Sequence, residues 1–349
     1  MPHVAGAAAA NGVRIGMITL GCDKNTVDSE RMQAWLASAG ARVREGAEDA
    51  DVLVINTCGF IDIAKEESIE ALLDAARLKA EGRVRAVVAV GCLVQRYKEE
   101  LAAELPEVDL FLGLTEAGRL VDELRARGIL DPNAAVPTME RPLRLLSKRR
   151  RHTSFLKISE GCDHACAFCA IPLMRGKHRS APIEQLVREA QELEAAGVVE
   201  LGLISQDTTW YGRDLARRPA EAMELAAGTA GLPLHPGGGI PGGGDGFFVG
   251  RPFARMAGVE AEALASAAPR LHAAATAGGN GGRERTGPRT GRLCELLEAL
   301  LAETSIPWFR LFYMYPSGIQ RDLVELMARE PRIVPYLDMP IQHGSDAVL

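Results

Sequence analysis

Three times near the start of the chain an apolar run ends on a cysteine: Leu20-Gly21-Cys22, Asn56-Thr57-Cys58 and Val90-Gly91-Cys92. Residues 13–20, 52–55, 85–90 and 108–112 read as strands, and residues 27–39, 63–78, 95–104 and 116–127 as helices between and after them. In the first of these helices Asp28, Ser29 and Glu30 fall in the opening turn, where the macrodipole favours acidic groups. Strands alternating with helices predict an α/β domain built on a doubly wound parallel sheet. In such a sheet the loops after the strands share one edge, and ligands bind there. The fold therefore gathers Cys22, Cys58 and Cys92 at one edge, although they are far apart in sequence. Gly21, Gly59 and Gly91 beside them permit tight turns and close backbone approach. Two readings stay open: a shared thiolate site, or three separate buried cysteines acting as small apolar residues.

A second cysteine set is local. Residues 153–158 form a strand-like run, and Gly161-Cys162-Asp163-His164-Ala165-Cys166-Ala167-Phe168-Cys169 follows, spaced C-x3-C-x2-C. Three thiolates on one short loop can hold three irons of a 4Fe–4S cube and leave the fourth open to a ligand. A zinc site with His164 or His178 as the fourth ligand is the other reading, although zinc loops more often carry paired C-x2-C units. A helix over 183–196 and a strand over 199–204 come next, then Ser205-Gln206-Asp207-Thr208-Thr209. Repeated βα units of this kind predict a parallel barrel, with its chemistry on the loops after the strands. Gln206 and Asp207 stand on such a loop, either as binding residues or as polar turn residues.

The chain has 349 residues, which suggests about two domains. Its formal net charge of -6 excludes a wholly basic, polyanion-binding chain, so any nucleic-acid contact needs a local patch. Seven cysteines in a chain this long do not make a secreted disulfide scaffold, and their clustering points to metal or catalysis. No apolar run approaches the ~18 residues of a membrane span. Residues 1–12 are Ala-rich without a positively charged start, and read as a disordered leader rather than a signal peptide. The cytoplasm is the expected compartment.

Residues 131–152 carry Pro132, Pro137 and Pro142 and read as a linker. Its basic end, with Arg141, Arg144 and 148–151, suits either a contact with RNA or an acidic protein, or a solvated charge run. Residues 214–292 are crowded with Gly, Ala, Pro and Arg and read as a low-complexity insert. The pattern resumes with a helix over 293–301, in which Cys294 is a structural thiol. A strand over 308–313, a helix over 319–328 and a strand over 333–337 follow, then His343 in a polar loop.

The C-x3-C-x2-C signature resembles that of the radical S-adenosylmethionine (SAM) enzymes. The stretches Leu20 to Asn25, Asp28-Ser29-Glu30, Asn56 to Ile61 and Gly91 to Tyr97 resemble the N-terminal domain of the methylthiotransferases. Lys157 to Cys162, Ala170-Ile171-Pro172, Arg175-Gly176-Lys177, Ile204 to Thr209 and Met339 to Ser345 are similar to the RimO branch of that family. The resemblance implies two 4Fe–4S clusters, an auxiliary one on Cys22, Cys58 and Cys92 and a SAM-cleaving one on Cys162, Cys166 and Cys169. It places Gln206, Asp207 and His343 at the pocket for S-adenosyl-L-methionine. It implies an enzyme that adds a methylthio group to the β-carbon of an aspartate in ribosomal protein S-twelve, served by an electron donor and a sulfur source. The partner would be that protein or the small ribosomal subunit. A transfer-RNA methylthiotransferase of the MiaB type and an inactive, truncated iron–sulfur fragment are the alternatives. The implied layout is a methylthiotransferase N-terminal domain over 13–130, the linker, and a radical SAM core over 153–349. The core is expected to be an incomplete barrel interrupted by the insert, with no TRAM domain after it.

Overall fold

The structure is a computed structural model that describes residues 12–132, 144–146, 152–164, 166–167, 169–215, 292–341 and 344–345. Residues 1–11 of the expected leader, most of the linker, nearly all of the 214–292 insert and His343 lie outside the described residues.

The first sheet has five strands, β1 (Arg14–Thr19), β2 (Arg42–Glu45), β3 (Val52–Thr57), β4 (Ala86–Gly91) and β5 (Leu110–Gly113). They are all parallel, in the order β2-β1-β3-β4-β5. Every residue of β3 and β4 is buried, as expected of strands covered on both faces. Helices α1 (Asp23–Ser38) and α4 (Leu120–Ala126) cover one face, over a core that includes Met17, Leu36, Val54, Val88 and Leu124. Helices α2 (Asp62–Ala80) and α3 (Cys92–Glu104) cover the other, with Leu53, Ile55, Leu72, Val87 and Leu93. The doubly wound expectation therefore holds. The sequence pattern did not reveal β2, because Arg42-Val43-Arg44-Glu45 is a mostly exposed edge strand. Charge on an edge protects it from pairing with other chains, and it also hides the strand from a search for apolar runs.

Two helices begin earlier than the sequence suggests. Helix α1 starts at Asp23, so Asp28, Ser29 and Glu30 lie beyond its first turn. Helix α3 starts on Cys92 and carries non-helical backbone at Tyr97. In α1 the first turn buries polar residues, Lys24 and Asn25, so it lacks the apolar spacing that marks a helix.

The second sheet has β6 (Thr153–Lys157), β9 (Glu200–Ile204) and β10 (Trp308–Leu311), parallel and adjacent in chain order. That is how the strands of a βα barrel follow one another. A short antiparallel pair, β7 (Ser159–Glu160) with β8 (Arg179–Ser180), brackets the cysteine loop and helix α5 (Ile171–Arg175). Helices α6 (Ile183–Ala195), α7 (Leu293–Glu303) and α8 (Arg321–Arg329) contribute Leu186, Leu193, Leu297, Leu300 and Leu326 to a core around Leu201 and Phe309. The strand expected over 333–337 is not formed. Ile333 makes one parallel bridge to Phe309, and Pro335 then removes a ladder donor.

Buried ion pairs tie α1 to the second sheet. Arg144 was expected in a basic linker run, but its side chain is only 2% exposed. Its Nε donates to Glu30 Oε2 at 2.9 Å and its Nη1 to Glu189 Oε1 at 3.1 Å. Its Nη2 also reaches Glu30 and donates to Ser154 Oγ at 3.1 Å. Arg31 Nη2 closes the group on Glu189 Oε2 at 2.9 Å. Arg144 therefore fits neither reading of the basic run. Asp28 and Glu30 of α1 likewise serve packing across the two sheets rather than the helix dipole.

Candidate functional site

The order β2-β1-β3 reverses the winding of the first sheet between β1 and β3, and the crevice beyond the strand ends at such a switch point is where open α/β sheets bind ligands. Cys22 follows β1 as the N-cap of α1, Cys58 follows β3, and Cys92 opens α3 directly after β4. Cys22 is exposed, while Cys58 and Cys92 are buried. Two glycines set how closely these loops meet. Gly21 (φ 88°) lies so near Cys58 that a Cβ there would stand 2.8 Å from its Sγ. Gly91 (φ 106°) turns the chain straight from β4 into α3, and a Cβ there would lie 2.5 Å from Asn56 Oδ1. Positive φ with no room for Cβ leaves glycine as the residue that fits.

One side chain knits the three loops. Asn25 Nδ2 donates to the Leu20 carbonyl at 2.8 Å and to the Thr57 carbonyl at 3.2 Å. Its Oδ1 accepts from the Cys92 thiol at 3.7 Å and from Arg175 Nη2 at 2.6 Å. Burial pushes the Cys58 thiol up from its ordinary pKa and the Cys92 thiol up to about 11. Both shifts favour the uncharged thiol until a cation takes it as a thiolate. Among the described residues, no three His, Cys, Asp or Glu side chains already converge on a metal-holding geometry. The gathering is one of backbone loops. The donor set nonetheless fits an iron–sulfur group: soft thiols, with two of the three buried, on loops that meet at a crevice.

The second set sits at the C-terminal end of β6, past β7. Cys162, Cys166 and Cys169 are all half-buried. The His164 N–H donates to Cys162 Sγ at 3.4 Å. Burial raises the Cys162 thiol pKa, and Cys169 and Cys166 nearby add to that rise. The His164 ring lies between Trp210, with centroids 4.1 Å apart, and Tyr315, at 4.6 Å. Its Nε2 meets Asp207 Oδ2 at 2.9 Å. Asp207 follows β9 as expected, but both its oxygens are engaged, since Oδ1 accepts from the N–H and the hydroxyl of Thr209. It closes the turn onto Thr209 and meets His164 with its other oxygen. Gln206 beside it is half-buried. His178 is buried, with Nε2 3.2 Å from Ser180 Oγ, and burial lowers its pKa.

A buried charge cluster links the elements that carry the two cysteine sets. Arg175, on α5 just past Cys169, donates from Nη1 to Glu160 Oε1 at 2.8 Å and to Asp28 Oδ2 at 3.3 Å. Lys157 pairs with the same two carboxylates. Arg175 and Lys157 hold the Glu160 carboxyl far below the usual range against the opposing effect of burial. Lys24 is also buried, and its Nζ lies 3.4 Å from the centroid of the Tyr313 ring, past the end of β10. Burial lowers its pKa to about 8. Asn25, Lys24 and Arg175 stand in stretches that the sequence singles out, but no spacing rule assigned them these places. Tyr313, Trp210 and Tyr315 left no signal at all.

Two family descriptions match this architecture. Residues 14–113 match the "Uncharacterized protein family UPF0004", and residues 156–240 match the "Radical SAM superfamily". The chain therefore carries a UPF0004 match ahead of a radical SAM match. It is 38% identical to "Ribosomal protein uS12 methylthiotransferase RimO" of Symbiobacterium thermophilum, over 98% of this chain and 56% of the relative. It is 40% identical to the protein of the same name from Anaeromyxobacter sp. (strain K), over 96% of this chain and 57% of the relative. The chain is thus similar to RimO-type methylthiotransferases over nearly its whole length. It spans little more than half the length of these curated relatives. A solved radical SAM methyltransferase, TsrM from Kitasatospora setae, covers 91% of this chain and 57% of its own at 12% identity, with a TM-score of 0.45, too slight to bear on the fold.

Proposed function

We propose that this chain carries the two iron–sulfur sites of a methylthiotransferase whose substrate is ribosomal protein S-twelve. The observation that carries the proposal is the link between the two cysteine-bearing regions through Arg175 and Asn25. One set is spread over three loops at the switch point of the first sheet. The other sits on one loop at the C-terminal end of the second. The relatives' name supplies the substrate, and the resemblance supplies an aspartate as the modified residue.

In this reading Cys162, Cys166 and Cys169 hold a 4Fe–4S cluster with an open iron, and Cys22, Cys58 and Cys92 hold the auxiliary one. When bound, the first cluster supplies the electron that cleaves S-adenosyl-L-methionine, and the second presents the sulfur to be transferred. The chain's own residues orient and enclose. His164, hydrogen-bonded to Asp207, forms an aromatic wall with Trp210 and Tyr315 beside the Cys162 loop. Gln206 lines the same strand end, where it would meet the SAM. Tyr313 shields Lys24 from water at the first set. An electron donor and a sulfur source are implied. So is the cytoplasm, and no described helix is long and apolar enough to cross a membrane.

The test is iron and sulfide per chain after anaerobic reconstitution, followed by mass spectrometry of ribosomal protein S-twelve treated with the loaded chain. About eight irons, four per cube, and a methylthio mass increment are expected. Modified transfer RNA in a parallel assay would instead support the MiaB type. Near-zero iron would leave the function with longer relatives and make this chain a fragment.

A further inference from the structure

We infer that Arg175 is a positioning residue that couples the two cysteine sites, and that its guanidinium raises the reduction potential of the iron–sulfur group on Cys22, Cys58 and Cys92. The inference rests on the functional reading above and extends it to how one site senses the other.

The argument begins with where Arg175 is carried. It lies on α5, directly after the C-x3-C-x2-C loop, while Glu160 precedes that loop in β7. The Arg175–Glu160 pair at 2.8 Å therefore clamps both flanks of the loop. The same guanidinium reaches the first domain. Nη1 also meets Asp28 of α1, and Nη2 donates to Asn25 Oδ1 at 2.6 Å. Asn25 is the side chain that holds the loops of Cys22 and Cys58 by their carbonyls and receives the Cys92 thiol. A shift of the second cysteine loop is thereby passed through Asn25 to the loops of Cys22 and Cys58, whose carbonyls it holds.

Charge follows the same geometry. Arg175 and Lys157 oppose Asp28 and Glu160, so the quartet is neutral as a whole. It is not symmetric. The two carboxylates hold Nη1, while Nη2 points away from them to Asn25, so the positive end of the quartet faces Cys92. The Arg175 side chain is 3% exposed, and water screens a charge so placed very little. Reduction adds one electron to an iron–sulfur group, and a fixed cation nearby stabilises the reduced form. Net charge and hydrogen bonding around the sulfurs are the protein's means of setting such potentials.

The experiment uses the full chain with C162A, C166A and C169A, so that only the first set can bind iron. After anaerobic reconstitution, the midpoint potential is read by EPR-monitored titration. Arg175→Gln is expected to lower it, because the quartet then keeps two acids against one lysine. Glu160→Gln keeps an acceptor for Arg175 but removes an anion, and is expected to raise it. Arg175→Lys is expected to stay near the parent, since it restores the charge without the fork. Opposite signs for the first two variants cannot come from a merely structural role. Equal signs, or no shift with about four irons retained, overturn the inference and leave the functional reading standing. If Arg175→Gln fails to fold, the sign for Glu160→Gln decides alone. A parent that binds no iron removes the functional reading, and the coupling falls with it.

Discussion

Arg144 offers the sharpest test of how the two sheets are joined. A solvated linker arginine can be replaced at almost no cost, whereas a buried bolt between two sheets cannot. In Arg144→Met the aliphatic stem is largely kept, so the change isolates the guanidinium. Glu30 then loses its two contacts from Nε and Nη2, and Glu189 keeps Arg31 at 2.9 Å but loses Arg144 at 3.1 Å. The side chains concerned are between 2% and 9% exposed. Removing one partner of a buried pair costs roughly 3–5 kcal/mol, and the surviving Arg31 puts this case near ~3 kcal/mol. That is about a hundredfold in the folded-to-unfolded ratio, at about 1.4 kcal/mol per tenfold. Urea unfolding followed by tryptophan fluorescence reads it, with Trp35 on α1 and Trp210 beside the second cysteine set as reporters. Arg83→Met is the control, because the Arg83–Glu81 pair is exposed at 68% and 59%, and its loss should stay within ~0.5 kcal/mol. The double variant Arg144→Met with Glu30→Leu should recover part of the loss, since both members of the buried pair are then replaced by apolar side chains. If Arg144→Met cost no more than Arg83→Met, the buried network would not hold the two sheets together and the reasoning would be refuted.

Three further outcomes follow from the same structure. The Glu189 carboxyl is held below its ordinary range, since Arg31 and Arg144 outweigh the upward effect of burial. The unfolded chain therefore takes up this proton first, so the stability Glu189 contributes is complete above the ordinary carboxyl range, ~4.3, and is lost as pH falls through the folded-state value; acid titrations of Glu189→Gln should show a shallower loss than the parent. Leu297 is fully buried in the second core, and Leu297→Ala should cost about 2–5 kcal/mol by chemical denaturation, unlike the half-exposed Val324→Ala on α8. Cys22→Ala should drop reconstituted iron from about eight to about four per chain and keep deoxyadenosine formation while ending methylthiolation, whereas Cys162→Ala should end both. Full product from the Cys22 variant would remove the auxiliary role of the first set.

What could be read in advance divides along physical lines. Strands buried on both faces leave continuous apolar runs, so β3 and β4 were legible, and the cysteines at their ends could be sent to one edge before any coordinate was known. The edge strand β2 was not, because an edge is protected by being polar. The short bridge at Ile333 was over-read as a strand because apolar residues flank Pro335, whose missing N–H matters more than its neighbours' hydropathy.

The site divides in the same way. Thiols at fixed spacing announce themselves, because their chemistry is local to a loop. The residues between the two sets do not, because their meaning comes only from the far partner. Arg144 reads as linker charge until Glu30 and Glu189 stand beside it, and no spacing tells that Lys24 lies under Tyr313. Asp28 and Glu30 offer a tempting local explanation, a helix dipole, that the real start of α1 at Asp23 removes. Burying so many charges between two sheets gives little net stability compared with apolar packing of the same volume. Its consequence is directional. Each ion must find its own partner, which fixes the register of α1 against β6 and α5, and with it the link between the three-loop thiols and the C-x3-C-x2-C loop.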